Sequence, residues 1–256
     1  MNPKISIITI TYNSEKTLRR AIDSIVSQEY DSLEYIIVDG ASTDSTVEII
    51  KSYGNRISKW ISEPDDGISS AFNKGINMAT GDIIGIINSD DGLEPGALSA
   101  IAVAYDPKVD IYRGKVLLWK ENTNTKAVEI PSMHFDYKGM NKISHQGTFV
   151  TKSAYKKYGV YDEKCKYAMD YDLLLRFEQA GAKFKYVNKV LAFYSLGGLT
   201  FSKVTKDRIK EIEYIMRKNG ATNKDVLYYC CFRTVKLLVS KIIPKEILMK
   251  LRNPSH

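Results

Sequence analysis

Several carboxylates in this 256-residue chain stand where they could do chemistry. The densest group is Asn88-Ser89-Asp90-Asp91, which closes the almost wholly apolar run 83–87. Adjacent carboxylates repel one another unless a cation neutralises them, and hard oxygen donors suit Mg²⁺ or Mn²⁺ bridging a diphosphate. The same residues also fit an acidic turn whose aspartates cap a helix after Pro95. Asp39 ends a second apolar run. It could accept hydrogen bonds from a base or ribose, or Asp39-Gly40 could be a plain turn. Asp170 and Asp172 open an amphipathic stretch, where one carboxylate is expected to cap the helix and the other is available as a general base. His145, in His145-Gln146-Gly147, reads either as a hydrogen-bonded structural histidine or as a polar group of the cleft. Neither standard glycine-rich phosphate loop occurs, so the phosphates of a bound nucleotide would depend on a metal and on Lys74.

These residues need a frame that brings strand ends together. Residues 5–10 are β-branched and nearly continuous, as in a strand buried on both faces. Leu18, Ala21, Ile22, Ile25 and Val26 then follow the helical period. A strand over 33–38 and a helix after Ser42-Thr43-Asp44 come next, with Ser45 and Glu48 at capping-box spacing. The pattern continues through a short strand at 57–61, a turn over 63–67, a helix at 69–79 and a strand at 82–87. Alternation of this kind implies parallel strands with right-handed crossovers, and the carboxyl ends of such strands form the ligand crevice. Beyond Pro95 the expected elements are a helix at 96–105, a strand at 111–120, edge or irregular structure at 126–136, a strand at 145–151, and helices at 152–158 and 169–180. The domain organisation expected is one α/β domain of two halves, 1–100 and 101–200, with a basic helical extension over 201–256.

Composition excludes several classes. With 44% hydrophobic and 26% charged residues and only 16 Gly and 7 Pro, the chain is neither disordered nor collagenous. Three cysteines without metal-ligand spacing argue against a disulfide framework. Charge is unevenly distributed: residues 1–200 carry 24 Lys+Arg against 25 Asp+Glu, whereas 201–256 carry 13 against 5. The whole excess of +7 therefore sits in the last quarter, which points to an anionic surface as partner. The apolar run near the N-terminus is too short for a signal-peptide core or a spanning helix, so a cytoplasmic protein is expected.

The motifs occur in a telling order: Ile7-Ile8-Thr9-Ile10-Thr11-Tyr12-Asn13, Val38-Asp39-Gly40-Ala41-Ser42-Thr43-Asp44, Ser62-Glu63-Pro64-Asp65-Asp66-Gly67-Ile68, Asn73-Lys74-Gly75-Ile76, Ala79-Thr80-Gly81-Asp82, Asn88-Ser89-Asp90-Asp91, His145-Gln146 and Asp170-Tyr171-Asp172-Leu173. Together they resemble the inverting nucleotide-sugar glycosyltransferases of family 2, most of all those that build O-antigen, capsule and other bacterial surface polysaccharides on lipid carriers. The resemblance covers about residues 3–200. It implies the GT-A fold, an α/β architecture with a mostly parallel Rossmann-like central sheet flanked by helices, here with a C-terminal helical extension. By the same resemblance Thr11 and Tyr12 lie at the nucleoside, Asp39 on the uracil, Asp65 on the base or ribose, Lys74 near the diphosphate, and Asp91 beside the donor. Asp90 matches the metal-binding aspartate of the DxD motif, with Mn²⁺ or Mg²⁺ as cofactor. Asp170 matches the catalytic base, leaving Asp172 as a structural cap. His145 is a candidate acceptor or metal contact. Three positions depart from the pattern: Asn88 begins the DxD motif, Met169 replaces the glutamate before the base, and Phe72 replaces an arginine.

The activity implied is inverting transfer from a UDP-sugar to a hydroxyl of a lipid-linked saccharide. The alternative is a non-catalytic nucleotide- or carbohydrate-binding module on the same fold. In the tail, a helix would place Arg233, Lys236, Ser240 and Lys241 on one arc and Val235, Leu238, Val239 and Ile242 opposite. Pro244 interrupts, and a basic amphipathic pattern resumes over 245–252. This composition suits a helix in the membrane interface, which would make the protein peripheral on the inner face of the cytoplasmic membrane. It equally suits helices packed on the catalytic domain or on another subunit, leaving a homo-oligomer open. Nucleic acid is not expected as a partner, because Tyr228, Tyr229 and Phe232 cluster instead of alternating along a basic groove.

Overall fold

The β-branched opening run forms β1 (Ile5–Thr11), in which Ile5, Ile7 and Ile8 are fully buried. Helix α1 (Leu18–Val26) returns over it on the face made by Leu18, Ala21, Ile22 and Ile25. Then follow β2 (Leu33–Asp39), α2 (Thr46–Ser52), β3 (Lys59–Ser62), α3 (Ile68–Met78) and β4 (Ile83–Asn88). Pairings β3–β2, β2–β1 and β1–β4 are all parallel, as strand-helix alternation demands. Residues 2–137, 143–196 and 206–242 are described by this computed structural model.

After a two-residue strand, β5 (Gly92–Leu93), and helix α4 (Ala97–Ala104), the sheet changes character. Strand β6 (Ile111–Lys120) pairs antiparallel with β7 (Thr125–Glu129) and with β8 (Thr148–Thr151), and parallel with the twelve-residue β9 (Phe184–Ser195). β8 joins β4 antiparallel, giving the order β3-β2-β1-β4-β8-β6-β9-β5 with β7 beside β6. Helices α5 (Lys152–Tyr158) and α6 (Met169–Gln179) complete this part. The halves are packed closely: a Cβ on Gly75 would lie 2.4 Å from Ile8 Cγ2, and one on Gly85 would lie 2.7 Å from the Phe149 ring. Only glycine lets α3 and β8 approach β1 and β4 so nearly.

Some local expectations are corrected. Ser45 makes no capping bond; Asp44 Oδ1 accepts the Thr46 N–H instead, at 3.0 Å. Asp90 and Asp91 do not cap α4, since Gln28 Oε1, just past the end of α1, accepts the Ala97 N–H at 3.1 Å. The expected strand at 145–151 divides into a 3-10 turn (His145–Gly147) followed by β8.

Two compact units emerge: Met1–Phe135 with Met140–Phe201, and Asp136–Gly139 with Ser202–His256. The second contains α7 (Lys206–Lys218) and α8 (Asn223–Ile242). α8 begins with a reciprocal cap, Thr222 Oγ1 accepting the Asp225 N–H and Asp225 Oδ2 accepting the Thr222 N–H, each at 3.2 Å. Val226 and Tyr229 are buried, while Leu227 and Tyr228 are about two-thirds exposed, at 65% and 64%. Of the arc read from the tail sequence, positions 234–242 have no described side chains, and the pattern over 245–252 lies outside the described residues. No helix of the described residues is long and apolar enough to cross a membrane. Cys165, Cys230 and Cys231 are all free thiols.

Candidate functional site

Parallel register sets the carboxyl ends of the first strands in a row: Thr11 opposite Asp39, Asp39 opposite Ser62, and Asn88 opposite Ile10. Asp39 is completely buried. Its Oδ2 accepts the Ser42 N–H at 3.0 Å and the Ser62 hydroxyl at 2.6 Å, and its Oδ1 accepts the Ser42 hydroxyl at 2.5 Å. Asp39 thus ties the loop after β2 to the end of β3, and Oδ1, with one of these bonds, keeps capacity to accept another. Ala41 in that loop sits at φ +61°, in the left-handed region that disfavours a Cβ. Thr11 Oγ1 is buried without a hydrogen bond, and the neighbouring Tyr12 ring is exposed. Lys74 is tied down: Nζ reaches Asp65 at 2.7 Å, Glu63 at 2.8 Å and the Pro64 carbonyl at 2.8 Å. It therefore shapes the 63–65 turn.

The Asn88–Asp91 turn closes through Asp91 N–H to the Asn88 carbonyl at 3.1 Å. Asp90 and Asp91 leave it in opposite roles. Asp91 is wholly buried, accepting from Gln146 Nε2 at 2.7 Å and from the Ser195 N–H at 3.0 Å, so it joins the turn to the 3-10 turn before β8 and to the end of β9. Burial and the charge of Asp90 push its carboxyl up to about 7. Asp90 takes no part in the Gln146 and Ser195 bonds; burial raises its pKa, and its own backbone N–H, His145 and Arg20 pull it back down.

His145 and Asp170 come together from 25 residues apart, with Nδ1 to Oδ2 at 3.0 Å. His145 Nε2, Asp170 Oδ1 and Asn88 Oδ1 are all buried without a partner. Unsatisfied buried polar atoms are costly, and a bonded pair that keeps one on each member retains capacity for a ligand. Burial opposes charging His145, but Asp170, Asp91 and Asp90 outweigh it and raise its pKa above the ordinary value. The Asp90 carboxylate, the Asn88 amide oxygen and His145 Nε2 are hard and borderline groups of the kind that suit Mn²⁺ or Mg²⁺. Asp162, Cys165 and Asp172 form a separate cluster with donor atoms within 4.8 Å, in which Arg176 already neutralises Asp172.

Asp172 is structural, but it is not the helix cap expected of it: the N-cap of α6 is Ala168, without a side-chain cap. It is fully buried and holds Arg176 Nε at 2.9 Å, and Arg176 donates onward to the carbonyls of Tyr158 and Val160. Phe72 is buried and packs edge-on against His145, with centroids 5.5 Å apart, and against Tyr161. Met169 is likewise buried. Residues with no assigned role in the sequence reading hold the segment that leads to Asp170. Asn73 grips the Tyr161 backbone at both N–H and C=O, 3.0 Å each, and Ser69 donates to the Cys165 carbonyl at 2.6 Å. Their spacing of four on the buried face of α3 was the available signal. Arg113, fully buried on β6, donates to Thr148 Oγ1 at 3.1 Å and to the Ser132 carbonyl; burial lowers its pKa to about 10.

The glycosyl transferase family 2 model matches residues 6–157, more than half of the chain. This chain belongs to that family. Chondroitin synthase of Pasteurella multocida is 30% identical over 245 residues, covering 89% of this chain and 24% of that protein. A PGL/p-HBAD biosynthesis glycosyltransferase of Mycobacterium tuberculosis is 28% identical over 222 residues, covering 82% of this chain and 84% of that protein. The chain spans about a quarter of the length of the chondroitin and hyaluronan synthases it matches. Among solved structures, S. aureus TarS 1-349 in complex with UDP-GlcNAc superimposes with a TM-score of 0.68 at 20% identity, covering 84% of this chain and 65% of that one. Mannosyltransferase PcManGT from Pyrobaculum calidifontis, in complex with GDP-Man and Mn²⁺, gives 0.66 at 16% identity, covering 98% and 79%. The family 2 chain thus has the GT-A fold, with C-terminal helices added.

Proposed function

We propose that this family 2 protein is a metal-assisted, inverting glycosyltransferase that moves a sugar from UDP to a hydroxyl of a lipid-linked saccharide in bacterial surface polysaccharide synthesis. The observation that carries this reading is the His145–Asp170 pair, each member keeping a buried atom without a partner, near enough to Asp90 for the His145 charge to act on that carboxyl. Thr11, Tyr12, Asp39 and Asp65 frame the nucleoside, with the exposed Tyr12 ring as a stacking surface. Asp90 and His145 would hold Mn²⁺ or Mg²⁺. With Nδ1 bonded to Asp170, the neutral Nδ1–H tautomer of His145 would present the Nε2 lone pair, the arrangement by which a carboxylate orients a metal-binding histidine. The ion, when bound, supplies positive charge to the diphosphate leaving group.

Asp170 holds His145 with Oδ2 and keeps Oδ1 for the acceptor. Oδ1 takes the proton of the acceptor hydroxyl as that oxygen bonds to the anomeric carbon. The carbon–oxygen bond to the diphosphate breaks, UDP leaves with the electron pair, and the configuration inverts. No covalent enzyme intermediate is needed. Asp91 and Lys74 act indirectly, holding the Asp90 turn and the Asp65 turn. The exposed Leu227 and Tyr228, in a tail carrying 13 basic against 5 acidic residues, support docking on the anionic inner face of the cytoplasmic membrane.

The test is calorimetry of UDP, GDP, CDP and dTDP with and without Mn²⁺, on the wild-type chain and Asp90→Ala. Metal-dependent UDP binding that is lost in Asp90→Ala is expected; a preference for GDP overturns the donor assignment. UDP binding without consumption of any UDP-sugar in the presence of lipid-linked acceptors supports the binding-module reading instead.

A further inference from the structure

Arg20 lies on the polar side of α1 and has no part in the chemistry above. Its side chain is nevertheless mostly covered, with 29% exposed, and its terminal nitrogens are both engaged. It packs 4.9 Å from the Trp119 ring centroid and 5.5 Å from that of Phe193, two rings set edge to face. One terminal nitrogen reaches Glu121 Oε1 at 2.5 Å, at the start of the β6–β7 hairpin. The other donates to the Asp90 backbone carbonyl at 2.9 Å, while Nε is buried without a partner. Holding a long side chain against two rings, a carboxylate and a backbone carbonyl costs rotamer freedom, which an arginine needed only for solubility would keep.

The bond to the Asp90 carbonyl explains the arrangement. That carbonyl and the Asp91 N–H belong to one peptide group. Arg20 holds its oxygen edge, and the Asn88 carbonyl holds its N–H edge at 3.1 Å. A planar peptide fixed at both edges cannot swing about its neighbouring bonds. Its orientation sends the Asp91 side chain inward to Gln146 and Ser195 and leaves the Asp90 side chain out of that network. We infer that Arg20 is the positioning residue for Asp90: it locks the Asp90–Asp91 peptide so that the Asp90 carboxylate faces the donor, and the β6–β7 hairpin, through Trp119 and Glu121, holds Arg20 in place. This inference rests on the donor-site reading above and adds the hairpin as part of the donor apparatus.

The test compares Arg20→Gln, Arg20→Lys and Glu121→Gln in the full chain, alone and combined with Asp90→Ala. UDP affinity is measured by calorimetry with and without Mn²⁺, and exchange of the Asp91 amide is followed by NMR without ligand. Arg20→Gln is expected to weaken the Mn²⁺-dependent part of UDP binding about tenfold, as loss of a charge-assisted bond allows. It should leave metal-free binding unchanged and cost nothing further in Asp90→Ala. Arg20→Lys should behave alike, because an ammonium lacks the planar fork. Glu121→Gln, a conservative change at a half-exposed position, should shift binding in the same direction by about twofold to threefold. The Asp91 amide should exchange faster in both Arg20 variants. Equal losses with and without Mn²⁺, or losses additive with Asp90→Ala, overturn the positioning role. If the wild type binds no nucleotide, the donor reading fails, and the amide decides the Arg20 inference alone: unchanged exchange overturns it.

Discussion

The two halves of the catalytic unit build their parts of the site by different means. From β1 to β4, every candidate residue but Lys74 of α3 stands at or just past the end of a parallel strand, so local sequence and strand register suffice to bring Thr11, Asp39 and Asn88 into one row. Between β6 and β9 the strands run both ways, and the critical groups come from a 3-10 turn and a helix start. There the site depends on side-chain bonds across long separations: His145 with Asp170, Gln146 with Asp91, Asn73 with Tyr161. A strand-end site is inherited from topology, whereas the second half must be tied to the first.

The sharpest division between the halves should come from their two aspartates. Asp170→Asn is expected to lower transfer by about 10³-fold or more, within the range for loss of a general base, while Mn²⁺-dependent UDP binding persists. Asp90→Ala should lose both. Calorimetry beside a product assay on each variant checks this, and loss of UDP binding in Asp170→Asn would merge two functions the comparison keeps apart.

The seam itself is weaker but measurable. Asn73→Ala removes two bonds to the Tyr161 backbone and one to Glu163, and should cost about 2 kcal/mol of stability. It should also lower transfer more than UDP binding, since it loosens the segment leading to Asp170. Thermal unfolding with the binding assay reads both.

At the far end of the strands, Glu34 supplies a control that belongs to the first half alone. Burial by itself would raise its pKa, but bonds from Ser6, Thr80 and Lys59 outweigh burial and hold it well below the usual carboxylate range. A depressed folded-state pKa stabilises the protein above the unfolded value, near 4.3, and that stability is lost as pH falls below it. Glu34→Gln should therefore cost about 2 kcal/mol at neutral pH and much less near pH 3, with donor binding intact. Denaturant titrations at the two pH values test it. The smallest effect expected is at Ala41, where glycine relieves the left-handed backbone and should stabilise by about 0.5–1 kcal/mol or leave stability level. A clear loss of stability there would mean that the Ala41 methyl packs more usefully than its strain costs.

The alternation of apolar runs with helical periods made β1 through β4 readable, because a buried parallel strand and an amphipathic helix each carry their own pattern. β6, α5 and α6 were readable for the same reason. β9 was not: its sequence, from Phe184 to Ser195, mixes lysines and tyrosines with apolar residues, and its burial alternates irregularly around a bulged register with β6. Of the site, the identities of Asp90, His145 and Asp170 were legible as chemical types at turns and helix starts. Their division of labour with Asp91 and Asp172 came from the family resemblance alone, because by residue type two neighbouring aspartates look alike until partners are placed around them.

The sequence by itself determined the family, the order of strands and helices in the first half, and the carboxylates at their ends, because these follow from periods of two and 3.6 residues and from local turn chemistry. Only the tertiary structure decided that Asp91 faces Gln146 and Ser195 and leaves the cleft to Asp90, that Lys74 serves a turn, and that Arg20 reaches the Asp90 carbonyl. Each of those outcomes is a choice among partners distant along the chain. Such a choice is made by which buried groups can satisfy one another in three dimensions, and no local pattern records it.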